Sequence, residues 1–506
     1  VNKDKQTHVL IVGAGFAGMK AAQVLGRNKN IRVTLVDKNN YHLFQPLLYQ
    51  VASTGLNPSE ISSTVRHTFR KRKNVKVLRA ELSAVDKVAR TATFNGGGFK
   101  LEYDYLVLCI GGRTCYFGND QWEKTAPGLK SLEDAVNIRN RLLKSLEDAE
   151  RLGDAVDLEQ LTSVVVIGGG PTGVELAGAF AELRSKVLSK DYRSFEPKNV
   201  QVTLVEAAPN LLLGYDEKSS DYTRKRLEKL GVKVLLNEGV TDISEEGVTT
   251  KQRFLPSTNV IWAAGVEGHP LARMVTDQID KRGRILVTPE LLIEGESNIF
   301  ACGDLTYFGH DERFPRGLPG VAPAAIQQGD RAARNILALL EGKEPKKFEY
   351  FDKGKMATIG RSAAVAEAGP MKMRGFLAWC AWLFIHLLYL VEFQDRVIVF
   401  MRWIWSYITW QWGVRIIFGA GTVETDMSED HPALEEDGVV DGSAESESEA
   451  TEVVGVPREE DSEKSDESAE TDDADEAQDA PVDQDDESAE AEEEVVGEAE
   501  AEEAKS

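Results

Sequence analysis

Two glycine clusters carry the most readable chemistry in this chain. Gly13, Gly15 and Gly18 lie in His8-Val-Leu-Ile-Val-Gly13-Ala-Gly15-Phe-Ala-Gly18. Gly168, Gly170 and Gly173 lie in Ser163-Val-Val-Val-Ile-Gly168-Gly-Gly170-Pro-Thr-Gly173. A dinucleotide pyrophosphate needs bare backbone N–H groups at a helix N-terminus. The first glycine makes the turn, the second lets the phosphate approach, and the third lets helix pack on strand. Each cluster is followed by an acid after a matching apolar run. Asp37 follows Val33-Thr-Leu-Val36, and Glu206 follows Val202-Thr-Leu-Val205. A carboxylate at that strand end accepts hydrogen bonds from ribose hydroxyls.

One such motif is weak, because glycine turns after strands are common. Two copies about 155 residues apart, each closed by an acid, are a strong signal for two dinucleotides. The usual partnership is FAD in the first and a nicotinamide dinucleotide in the second. Glu206 bears on which nicotinamide. A carboxylate hydrogen-bonds a 2′-hydroxyl and repels a 2′-phosphate, and positions 207–210 hold no Lys or Arg. NADH is therefore expected rather than NADPH.

Elements must position these residues. Apolar runs at 9–12 and 31–36 read as buried strands around a helix at 16–25. The second unit repeats this with strands at 163–167 and 200–205. Gly173 to Glu206 spans 33 residues against 19 for Gly18 to Asp37, so its helix, or the loop around 185–198, is longer. Further strands are expected at 102–110, at 259–264 before Gly265, and at 298–301 before Cys302-Gly303-Asp304. Helices are expected at 131–152 and 322–340.

The chain has 506 residues and a formal net charge of −24, which hides a split. Residues 421–506 hold 36 acids and 3 bases, leaving a body with a net charge of +9. The tail cannot bury enough apolar surface to offset chain entropy, and it reads as a disordered, solvated segment. A salt-adapted surface is excluded for the body. Four cysteines exclude a disulfide-built scaffold, and the lack of any C-x-x-C pair argues against a zinc site, so no metal is expected. The first eight residues lack the apolar core of a signal peptide, and a reducing compartment is expected. Nucleic acid is not an expected partner.

Electrons that enter from NADH need an outlet. A dithiol outlet would place two cysteines soon after Asp37, yet residues 38–55 contain none. Two C-terminal runs, 376–391 and 397–418, are apolar and aromatic, and they hold six of the eight tryptophans. Trp suits a membrane–water interface. The first run has 16 residues, below the roughly 17–25 needed to span a bilayer, and charges interrupt the second. Two helices lying in the membrane surface are expected, with added attraction from the basic body. A buried core helix or a dimer interface is the alternative. A flavoprotein at a membrane surface points to a lipid-soluble quinone. The expected fold class is α/β. It has two Rossmann-like dinucleotide-binding domains (a two-dinucleotide-binding flavoprotein fold), C-terminal amphipathic membrane-surface helices and a disordered acidic tail. Residues 1–115 and 266–345 would form a two-part FAD-binding domain, 116–265 the NADH-binding domain, 346–420 the membrane-associating region and 421–506 the tail.

At this point the sequence resembles a known family, the type II NADH dehydrogenases. These are single-subunit, non-proton-pumping NADH:quinone oxidoreductases. The resemblance covers about residues 8–420. It rests on Tyr41-His-Leu-Phe-Gln-Pro-Leu-Leu-Tyr-Gln-Val-Ala52, Gly168-Gly-Gly-Pro-Thr-Gly-Val-Glu-Leu-Ala-Gly178, Trp262-Ala-Ala-Gly-Val266, Ala324-Ala-Ile-Gln-Gln-Gly329, Gly354-Lys-Met-Ala-Thr-Ile-Gly360 and Trp403-Ile-Trp-Ser-Tyr407. It implies hydride transfer from NADH to FAD, then two electrons to ubiquinone or menaquinone. It implies FAD at Gly13, Gly15, Gly18, Asp37, Lys38, Asp304 and Ala325, with Gln45, Pro46 and Leu47 near the flavin ring. It implies NADH at Gly168, Gly170, Gly173 and Glu206, with Gly265 and Val266 near the nicotinamide. Glu175 matches a carboxylate given a catalytic or proton-handling role; a helix acid favoured by the helix dipole is the plainer reading. Gln327 matches a quinone-site glutamine, but Pro323 replaces the family's second one. Lys355 is a candidate for proton supply, against a plain surface lysine. His386 reads as a packed or interfacial histidine. The implied location is peripheral, monotopic, on the cytoplasmic face of the inner or plasma membrane, and a homodimer through the C-terminal region is a further expectation. A sulfide:quinone oxidoreductase-like flavoprotein is the enzyme alternative, though its chemistry needs paired cysteines. A redox-responsive NADH-binding interaction protein is the non-enzyme alternative.

Overall fold

The computed structural model describes residues 6–153, 157–193, 195, 200–390, 393–409 and 414–417. The expected acidic tail lies outside the described residues. The elements that build the site are β1 (Thr7–Val12), α1 (Phe16–Leu25), β2 (Ile31–Asp37), α2 (Leu48–Ala52), β3 (Val75–Arg79), β4 (Tyr105–Leu108), α3 (Leu132–Leu152), β5 (Val164–Ile167), α4 (Pro171–Leu183), β6 (Val202–Glu206), β7 (Val232–Leu236), β8 (Asn259–Trp262), β9 (Ile299–Ala301), α5 (Ala322–Leu340), β10 (Lys355–Thr358), β11 (Ala364–Ala368), β12 (Met371–Gly375), α6 (Phe376–Leu388) and α7 (Phe393–Thr409).

Two parallel sheets result. The first runs β9-β4-β1-β2-β3 and the second β7-β6-β5-β8. In each, the strand before a glycine turn is flanked by the acid-bearing strand and a later one. Thr7 pairs with Ile31, and Val164 with both Val202 and Asn259. Val-Val-Val-Ile of β5 is buried throughout, as a parallel strand covered on both faces requires. The first sheet is completed by β9, so the chain returns to its first unit after building the second. α1 buries Ala17, Gly18, Met19, Ala21 and Ala22 because it is held between β1 and α5. A Cβ at Gly329 of α5 would lie 2.2 Å from the Ala17 carbonyl oxygen, so only glycine permits that approach.

Several boundaries differ from expectation. The strand expected at 102–110 is two elements. Phe99–Glu102 ends an antiparallel excursion, and β4 starts after a turn in which Asp104 accepts from the His8 N–H at 2.7 Å. The C-terminal helices end at Leu388 and Thr409, short of 391 and 418. Their tryptophans divide. Trp382 and Trp403 are buried, while Trp405 is 61% exposed. Trp382 packs against Tyr49 and Trp403, with ring centroids at 6.4 and 5.9 Å. Side-chain size explains this, since α6 and α7 lie across α2 and need large rings to fill the gap. Cys109 and Cys302, separate in sequence, meet at the ends of neighbouring strands. The hydrogen bond between the two free thiols, together with burial, pushes the Cys302 thiol well up.

The second sheet with α3 and α4, the segment 44–61 that follows β2, and the C-terminal helices share one core, which includes Leu48, Val51, Leu142, Val174, Trp382 and Trp403, while the first sheet with α1 and α5 packs a core of its own. Polar clasps fix α7 over it. Arg402 pairs with Glu60 at 2.6 Å, and the Trp403 indole donates to Gln50 Oε1 at 3.0 Å. Arg361 faces buried Glu182 and donates to the Ser406 carbonyl and hydroxyl at 2.8 and 2.7 Å. Removing one partner of a buried pair leaves the other charge uncompensated. Arg361→Met is therefore expected to cost about 3 kcal/mol of stability. A urea titration would read it, with faster proteolysis at α7 as a second sign.

Candidate active site

The two glycine turns are copies of one another at atomic level. Gly13 and Gly168 adopt φ of 101° and 111°. A Cβ at Gly18 or Gly173 would lie 1.8 Å from the carbonyl oxygen of Gly13 or Gly168. Asp37 accepts from Ala14 N at 2.6 Å and Asn39 N at 2.7 Å. Glu206 accepts from Gly169 N at 2.5 Å and Ala208 N at 2.7 Å. Both acids thus brace their turn before any ribose is considered. Burial pushes the Asp37 carboxyl up, against the pull of those N–H groups. Lys38 beside it is exposed.

The fit to a dinucleotide can be tested on the helix ends. α1 and α4 start at Gly15 and Gly170 with no side-chain cap and no acid in the first turn. Nothing lies within 4 Å of where a Cβ would stand on either glycine. Two helix N-termini, uncapped and facing open space, fit pyrophosphates. Their N–H groups would hold them, with a remaining lone pair of Asp37 or Glu206 on the ribose.

The other residues expected on the FAD side gather around Asp304. Its carboxylate pairs with Lys130 at 3.2 Å, and Gln45 Nε2 donates to the Lys130 carbonyl at 2.9 Å. Pro46 and Leu47 continue the short turn that begins at Gln45, with Leu47 fully buried. Ala325, on α5, lies beside Gly303. Lys130 was missed in the sequence, since a lysine in a loop before a helix carries no pattern. So was Gln328, which is buried and accepts from Gly303 N at 2.6 Å. Gln327, the expected quinone-site residue, closes a two-way bridge instead. It donates to the Phe351 carbonyl and accepts from the Phe351 N–H, both at 2.9 Å. On the nicotinamide side, Gly265 accepts from Cys115 N at 3.1 Å, and Val266 opens a short strand paired with Gly112–Thr114. That pair links the two units beside the second turn.

Glu175 is the most perturbed candidate. It sits past the first turn of α4, so the dipole reading of a first-turn acid does not apply. Thr358 N lies 3.4 Å from its carboxylate, and the buried Trp382 indole N–H faces it from outside hydrogen-bond geometry. Burial raises it to about 8; the Thr358 and Trp382 N–H groups pull it back only in part. Some of its surface stays accessible. A raised acid favours the protonated fold, so its contribution to stability falls as pH rises from about 4.5 to about 8. Tyr49 and Tyr215 feel this carboxylate, and burial first, then Glu175, pushes both phenols up. Lys355 lies apart from this floor. Its ammonium meets the Gly214 carbonyl, Glu367 at 3.5 Å and the Tyr215 ring at 4.7 Å, which is the surface-lysine reading.

Residues 7–329 match the family model described as pyridine nucleotide-disulphide oxidoreductase. The type II NADH:quinone oxidoreductase NdhA of Mycobacterium tuberculosis is 39% identical over 411 residues, 78% of this chain and 86% of that one. The type II NADH:quinone oxidoreductase of Staphylococcus haemolyticus is 30% identical over 368 residues, 70% and 87%. The structure of NDH2 from Plasmodium falciparum in complex with NADH shares the fold at a TM-score of 0.73. It is 20% identical and covers 82% of this chain and 100% of that one. The sulfide:quinone oxidoreductase of Aquifex aeolicus shares it at 0.62, with 19% identity, 77% and 91%.

The braced turns give a discriminating pair of variants. Asp37→Ala is expected to purify with reduced flavin. Glu206→Ala is expected to keep its flavin and to weaken NADH binding by about ten- to a hundredfold, the loss of one charge-assisted bond. Flavin absorbance and a nucleotide titration measure both.

Proposed function

This chain belongs to the pyridine nucleotide-disulphide oxidoreductase family and, within it, to the type II NADH:quinone oxidoreductases, and from that premise we propose how its own residues divide the work. The reaction passes electrons from NADH through a flavin to quinone. FAD, when bound, accepts the two electrons of NADH and delivers them to the acceptor. The chain supplies binding, orientation and protons. The observation that carries the reading is the pair of uncapped, carboxylate-braced helix N-termini, joined to a segment 38–55 without cysteine.

Gly15 and Asp37 anchor FAD at the first turn, with Asp304, held by Lys130, as the third point of attachment. Gly170 and Glu206 anchor NADH at the second, and Val266 lies at the nicotinamide end. Reducing a quinone consumes two protons. Glu175, neutral up to about pH 8, holds one beside the site. Gln327 fixes the Phe351 backbone at the quinone mouth, and Lys355 stays peripheral.

The quinone comes from the lipid. α6 exposes Leu377 and Phe384, and α7 exposes Met401, Trp405 and Ile408 (74%), a larger apolar face than scattered surface residues make. Among the described residues no helix is long and apolar enough to cross a membrane. The two helices are proposed to lie in the surface of the leaflet that faces the NADH pool, held by apolar burial and the basic body.

Anaerobic flavin absorbance tests the reaction. NADH should bleach the flavin, a short-chain quinone should restore it, and sulfide should do neither. Bleaching by sulfide alone would instead support the sulfide-oxidising relative. Vesicle flotation tests the surface. Ile408→Glu should release the protein from anionic vesicles while leaving NADH bleaching unchanged. A soluble dimer that never floats would give that face to a second copy.

A further inference from the structure

We infer that His386 is the acceptor that recognises the hydroxyl of the reduced quinone. The inference rests on the NADH:quinone reading above and adds a residue to its acceptor side. His386 lies on α6, and its Nδ1 is 2.7 Å from the Trp382 carbonyl oxygen. A carbonyl only accepts, so Nδ1 carries the proton and Nε2 is left as a bare acceptor. Among the described residues Nε2 has no partner.

The surroundings set that ring between the exposed face of α6 and the turn that begins at Gln45. The imidazole stacks on Trp382 with centroids 4.1 Å apart, and Phe44 meets it edge-on at 6.3 Å. Phe44 immediately precedes Gln45 of the flavin-side turn, and the Trp382 indole faces Glu175. Neighbours on the same helix, Phe384, Ile385 and Leu388, turn outward. The ring is thus an acceptor set among aromatic rings, between the exposed apolar side chains of α6 and Trp382, and it keeps some accessible surface. Burial lowers its pKa to about 4, so it stays neutral in working conditions.

The two redox states of the acceptor offer this atom different partners. A quinone presents carbonyl oxygens and no O–H. A hydroquinone presents two O–H donors. A bare Nε2 faces the first lone pair to lone pair and hydrogen-bonds the second. His386 should therefore favour the reduced state. A histidine that merely packs would treat the two alike.

The full-length, flavin-loaded enzyme tests this with a decyl-tailed benzoquinone and its hydroquinone. His386→Phe keeps a ring on Trp382 and removes the acceptor. Hydroquinone product inhibition should weaken by about tenfold, the upper value of one hydrogen bond. The quinone KM should move much less, and NADH bleaching should be unchanged. Equal shifts for quinone and hydroquinone, or none, would overturn the inference. A second measurement needs no variant. On the unaltered enzyme the dimethyl ether of the hydroquinone, which has no O–H, should inhibit more weakly than the hydroquinone by a similar factor. Equal inhibition by the two would contradict the role of Nε2. Failure of the unaltered enzyme to reoxidise with quinone would strike the underlying reaction instead, so the two failures are distinct.

Discussion

A carboxyl group buried without a cation constrains everything around it. Among the groups that act on Glu175, burial dominates, two N–H groups oppose it weakly, and no cation contributes. An isolated buried carboxylate is expensive, so the group stays neutral. Keeping it so requires that water be excluded from several sides. α2 covers it with Tyr49, β10 with the Thr358 backbone and α6 with Trp382, and Tyr215 is near enough for its phenol to feel the charge, while part of the side chain stays accessible. These pieces come from segments far apart in the chain. The core that segment 44–61, the second unit and the C-terminal helices share is the physical condition for a neutral carboxyl at this point.

That condition gives the C-terminal helices two duties. Their outer faces are apolar and exposed, and suit a lipid surface. Their inner faces carry Trp382, His386 and Trp403 into the site region. The clasps Arg402–Glu60, Trp403–Gln50 and Arg361–Ser406 tie α7 to both halves of the body. A Gln50 that accepts from Trp403 also donates to the Tyr49 hydroxyl at 2.9 Å, and Tyr49 lies beside Glu175. Two hydrogen bonds thus tie α7 to Tyr49, whose phenol feels the Glu175 carboxyl electrostatically. On the proposed reading the helices serve the acceptor site as well as the membrane contact.

Much of this was legible in the sequence, for local reasons. A glycine turn, its following helix and the acid at the next strand end are set by near-neighbour chemistry. Gly13, Gly18 and Asp37 could be read directly, and the second copy checked the first. The β1–α1–β2 boundaries followed from burial on both faces of a parallel strand. What escaped depends on tertiary partners. Nothing in the spacing of Lys130 or Gln328 signals that they hold Asp304 and Gly303. Gln327 carries no spacing that signals its bridge, and only the fold shows its amide committed to Phe351. The tryptophans of 376–412 looked alike by composition, yet packing against Tyr49 buried Trp382 and left Trp405 outside. Cys109 and Cys302 are neighbours only because β9 returns to the first sheet.

The protonation state of Glu175 is the most direct test of this account. Infrared difference spectra of the flavin-loaded protein, with and without Glu175→Gln, would isolate its carboxyl stretch across pH. The account predicts a protonated carboxyl at neutral pH that titrates near 8. A band already lost at pH values usual for an exposed glutamate would contradict it, and would mean that water or a cation solvates the carboxylate more fully than its burial in this packing provides.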